Sequence, residues 1–182
     1  MTAEATWVTS VLAAGGRRDV AESAAADLTR RYGQAHRRYH TVDHVDTVVR
    51  DCALLGAEVG LTAPDGIAVA LAACAHDVVY DARPAVDEQA SAEWARTWLT
   101  RATVADGLAE RVADLVLATA THVAAPGDVA AATPPDAVPG CPRSACRSAR
   151  RAARTRPRRR PGRRVRCVRA GGCAGRARPG PR

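Results

Sequence analysis

Five histidines and one adjacent aspartate are the residues of this chain best suited to chemistry. His36, His40 and His44 recur every fourth residue in "YGQAHRRYHTVDHV". His76 and Asp77 stand side by side in "LAACAHDVVYD", closing an otherwise apolar run, and His122 follows "LVLATAT". Placing two polar, metal-competent side chains at the end of a buried run costs desolvation that Ser or Gln would avoid. Imidazole nitrogen and carboxylate oxygen together suit zinc, manganese, iron or another borderline divalent ion. Two neighbours on one helix diverge by about 100° and cannot close such a site alone. A further ligand must come from another helix, and His44, on the element preceding the pair, is the best placed.

The elements that must position these residues are helical. Apolar residues recur at three- and four-residue spacing from Ala3 to about Val123, without sustained alternation. This predicts helices over Ala5–Ala14, Asp19–Tyr32, Val42–Val59, Ala63–Tyr80, Asp87–Thr100 and Asp106–His122. Thr62 and Asp65 flank Pro64 at a helix start, Gly60 closes the preceding helix, and Pro84 separates the fourth from the fifth. Of His36, His40 and His44, only His44 lies securely within a predicted helix; the other two fall in the approach to it. Trp94 and Trp98 read as core, and Asp87, Glu88 and Ser91 as a capping arrangement for the fifth helix. Tyr80 and Asp81 shape the end of the fourth, and His36 reads as a solvated loop residue.

The net charge of +8 averages two unlike parts of the 182 residues. All 19 acidic residues lie between Glu4 and Asp136, whereas 16 of the 27 basic residues, every one an arginine, follow Pro139. The first part is therefore acidic and the last strongly basic. We divide the chain into an all-α, bundle-like domain over 1–138 and an Arg/Pro/Gly-rich tail over 139–182. The tail has no Leu, Ile or acid and no period, so it is expected to be disordered. Such a run binds nucleic acid only non-specifically, through phosphates. Its composition also fits a frameshift: CGN arginine codons read one nucleotide later become the GNN codons of Ala, Val, Asp, Gly and Glu that dominate the first part. The absence of Lys, Asn and Phe agrees with a GC-rich, bacterial gene. Cys141, Cys146, Cys167 and Cys173 lack the C-x2-C bite of a zinc ribbon, and Cys52 and Cys74 read as buried thiols. No signal peptide or membrane-length apolar run is evident, and the expected location is the cytoplasm.

In order and spacing, "RRYHTVDHV", "AACAHDVVYD" and "DEQASAEWA" resemble the HD superfamily of metal-dependent phosphohydrolases, and more closely a bacterial branch with a "YH…H…HD.VYD…SA" signature. The resemblance covers roughly Tyr32 to Asp136. It implies an all-α HD-type scaffold holding a divalent ion (Mn, Mg, Fe or Zn) through His44, His76 and Asp77. Asp77 would also orient the attacking water. His122 matches a histidine facing substrate or metal and takes a catalytic role beside Asp77. Arg37, Arg38 and His40 would clamp the phosphate of a small phosphate ester or nucleotide. The family's final aspartate, expected shortly after Asp136, is missing, which implies an impaired enzyme. The alternative from a different class is a non-catalytic protein with an arginine-rich nucleic-acid-binding arm.

Overall fold

The computed structural model describes residues 1–120. His122 and the 139–182 tail, with the boundary that precedes it, lie outside the described residues. The described residues form six helices and no strand, as the periodicity predicts: α1 (Ala3–Ala13), α2 (Arg18–Tyr32), α3 (Val42–Glu58), α4 (Ala63–Ala75), α5 (Val86–Arg101) and α6 (Asp106–Ala118). No helix among them is long and apolar enough to cross a membrane.

The organising element is α4, which packs against α1, α3, α5 and α6. Seven of its residues from Ala68 to Ala75 are buried, and a helix apolar on nearly every side belongs inside a bundle rather than on its surface. Its start follows the predicted signals, with the Thr62 hydroxyl accepting from the Asp65 amide at 3.3 Å. Around it, Trp7 of α1 meets Trp94 of α5 at a ring separation of 5.0 Å. Trp98, expected in the core, is only partly buried, and the Arg101 guanidinium lies over its face at 4.4 Å. Cys52 and Cys74 are buried and form no disulfide among the described residues.

The predicted fourth helix runs to Tyr80, but the observed one stops at Ala75. Side chains from elsewhere stop it. The Ala73 carbonyl, which the Asp77 amide would take in a continuing helix, lies 2.8 Å from His76 Nδ1. The Tyr32 hydroxyl, at the end of α2, donates to the Cys74 carbonyl at 3.1 Å and accepts from the Asp77 amide at 3.2 Å. The Val78 amide takes the Ala75 carbonyl at 3.0 Å. The orphan carbonyls of this helix end are thus satisfied by one tertiary partner, Tyr32, and by local bonds from His76 and Val78.

Residues 76–83 then form an irregular segment latched on several sides. The Ser91 hydroxyl, fully buried, accepts from the Val79 amide at 3.1 Å and donates to the Val79 carbonyl at 3.3 Å. One Asp87 carboxylate oxygen accepts from the amides of Asp81 and Arg83 at 2.9 and 2.7 Å. His36 Nε2 reaches the Tyr80 carbonyl at 2.8 Å, so it is tied to this segment rather than simply solvated. Asp87 and Ser91 were expected to cap α5; they fasten the preceding loop instead. The start of α5 carries no side-chain cap, and Ala85 there adopts a left-handed conformation.

Candidate metal centre

Three imidazoles converge on a single carboxylate oxygen. Asp77 Oδ2 lies 3.1 Å from His76 Nε2, 3.4 Å from His40 Nε2 and 3.9 Å from His44 Nε2. The early end of α4 makes this possible, because His76 and Asp77 escape the helical divergence that separates neighbours on a regular turn. His44 comes from the first turn of α3. His40 comes from the segment just before it, and the two rings stand edge to face at 5.2 Å. The Tyr80 ring lies 4.3 Å from that of His40, and Tyr39 lies 4.9 Å from His44.

The donor atoms of His40, His44 and Asp77 all lie within 4.8 Å of one another, an arrangement that could hold a metal ion. Of the expected set of His44, His76 and Asp77, two lie in this group, and its third member is His40, which was expected to clamp substrate. His76 stays beside them. Its Nδ1 faces a carbonyl, which can only accept, so that nitrogen carries a proton in either charge state. Its Nε2 and the Asp77 oxygen then share either a second proton or a cation.

The electrostatics favour a cation. Burial works against ionisation of Asp77, but the neighbouring His76, through its charge and hydrogen bond, together with His40 and His44, outweighs it. The carboxyl is held well below the usual carboxylate range. His44 is pushed down to about 3, first by burial and then by His76 and His40, against the pull of Asp77. At neutral pH it is an uncharged imidazole with a lone pair to give. Its side chain is 8% exposed, and its Nε2 is buried with no hydrogen-bond partner among the described residues. A buried polar atom left this way costs stability unless something fills the position. Two imidazole nitrogens and one carboxylate oxygen fit a borderline divalent ion and leave coordination positions open to water or substrate.

The two arginines part company. Arg38 is exposed and forms no ion pair among the described residues. Arg37, expected at substrate, is 6% exposed and directs its guanidinium inward, to backbone carbonyls. A group so committed is not presented to a phosphate in solution. The latches Tyr32, Ser91 and Asp87 were not foreseen as parts of the site. One signal was available: a tyrosine closing an amphipathic helix buries its ring and must find a partner for its hydroxyl. Compared with protein-family models, characterised proteins and solved structures, the chain matches none.

Proposed function

We propose that this chain carries the scaffold of an HD-type metal-dependent phosphohydrolase, acting on a small phosphate ester or nucleotide. The reading rests above all on the buried, unpartnered His44 Nε2 aimed at an ionised Asp77, with His40 Nε2 completing the donor set. His76, which the HD resemblance assigns as a ligand, lies against the same oxygen. A divalent ion bound there would lower the pKa of a water from about 16 toward roughly 7 and polarise a phosphoryl oxygen.

The chain's own residues do the rest. Asp77 is anionic throughout the neutral range, so it can accept a hydrogen bond from the attacking water and orient it. His44, neutral at that pH, holds its lone pair on the same side. Arg38, exposed two residues before His40, is the cation available to a substrate phosphate, and its planar fork suits two phosphate oxygens. His122 keeps the catalytic role that the resemblance gives it. The carboxylate expected after Asp136 is absent, so the site is short of one anionic ligand and its turnover is impaired.

The test pairs a phosphomonoester and nucleotide screen with the gene's other reading frames beyond codon 136. One frame should continue as an aspartate-led amphipathic helix, and the chain rebuilt on it should hydrolyse a phosphate ester. His44→Ala and Asp77→Ala should abolish that activity while remaining helical. Full activity in Asp77→Ala would sink the assignment.

A further inference from the structure

The least expected feature of the site is a buried cation beside it. Arg37 Nη1 donates to the carbonyls of Asp77 at 2.7 Å and His40 at 3.2 Å, and Nη2 donates to the Val78 carbonyl at 2.9 Å. The guanidinium lies over the Tyr32 ring at 5.0 Å and near the Tyr80 ring at 5.8 Å. Two of the carbonyls belong to residues whose side chains supply candidate ligands, and those residues come from segments far apart in sequence. A single planar group therefore fixes the backbone of both.

We propose that Arg37 is the positioning residue of the metal centre. Its guanidinium locks the His40 and Asp77 backbones together so that imidazole and carboxylate face one ion. This rests on the metal-site reading above. A lysine could fill the same space and keep the charge, but an ammonium is a point donor without a planar fork. It cannot hold three carbonyls in this arrangement. Groups that orient metal ligands without touching the ion commonly set affinity by about 10–100-fold.

The experiment titrates the full-length chain and its Arg37→Lys, Arg37→Gln and His44→Ala variants with Co2+, following the visible absorption bands and, separately, far-UV circular dichroism. Only the binding that His44→Ala removes is assigned to the site, since the tail cysteines would announce themselves by sulfur-to-metal charge transfer. Arg37→Lys should remain helical, lose about 10–100-fold in Co2+ affinity and show altered band positions or intensities. A purely structural residue would change stability and leave the spectrum of the folded, loaded protein alone. Parental affinity and spectrum in Arg37→Lys would overturn the proposal while leaving the metal site intact. Unfolding of both Arg37 variants in saturating Co2+ would make Arg37 a residue of the fold and overturn it equally. If the parent shows no binding beyond that of His44→Ala, the metal-site reading itself fails.

Discussion

Replacing His44 by leucine should abolish the stability gained from metal while changing the metal-free protein little. Without metal, His44 Nε2 is a buried acceptor with no hydrogen-bond partner among the described residues, and such a group costs about 1–3 kcal/mol. Leucine fills much of the same space without a polar atom. It forfeits ring contacts with Tyr39, His40 and His76 at 4.9, 5.2 and 5.6 Å, each worth about 0.5–1.5 kcal/mol. The two terms largely offset, so in chelator the variant should lie within about 2 kcal/mol of the parent. With metal at a hundredfold excess over Kd, the parent should gain about 2.7 kcal/mol and the variant nothing. Thermal melts followed by circular dichroism, in chelator and in Zn2+, read both quantities. Acid adds a third. The folded value of His44 is about 3, below its unfolded value of roughly 6.5, so protonation favours the unfolded chain as pH falls between the two. In chelator, the parent should lose stability over that window more steeply than His44→Leu, by up to about 1.4 kcal/mol per pH unit. A variant whose melting temperature responds to Zn2+ as fully as the parent's would refute the reasoning.

Ser91→Ala should cost about 1–3 kcal/mol, because it strands both the amide and the carbonyl of partly buried Val79; urea denaturation would measure it. Asp27, though partly desolvated, is held below the usual carboxylate range by the Trp94 indole, Arg31 and Arg30. Its contribution is present above the unfolded value of about 3.9 and lost as pH falls through the lower folded one, so Asp27→Asn should flatten the acid limb of a stability–pH curve. Deleting the residues after Pro139 should leave helicity unchanged and abolish salt-sensitive, sequence-independent binding to nucleic acid, because that stretch carries 16 arginines and no aromatic residue to stack on bases. Filter binding at two salt concentrations would check it, and unfolding on deletion would place the tail within the fold.

Helix existence was legible because the helices around α4 each bury a stripe that repeats at three- and four-residue spacing; α2 and α3 end within a residue of their expected limits. The C-terminus of α4 was not. Nothing in "AACAHDVVYD" breaks a helix locally, and the interruption comes from Tyr32, brought in from another helix, and from the His76 ring turning back on Ala73. The same event explains the misreading of Arg37. An arginine among histidines reads as a phosphate clamp because arginines are usually exposed. Here the irregular turn offers two carbonyls, a third comes from His40, and a planar cation with several donors is drawn inside to meet them. That His40 joins the donor group was not legible for a related reason: its position is set by the loop before α3, where no periodicity tells which way a ring points. By contrast, the pairing of His44 with Asp77 was legible from the order of the helices, since neighbours on one helix cannot close a site alone and the element before the pair carries His44.

The central claim is that His40, His44 and Asp77 hold one divalent ion, and X-ray absorption at the metal edge of the Zn2+-loaded full-length chain tests it most directly. The account predicts a shell of nitrogen and oxygen with the multiple-scattering pattern of two or three imidazoles and no sulfur, lost in Asp77→Ala. A sulfur-dominated shell, unchanged in Asp77→Ala, would place the ion on cysteines and contradict it.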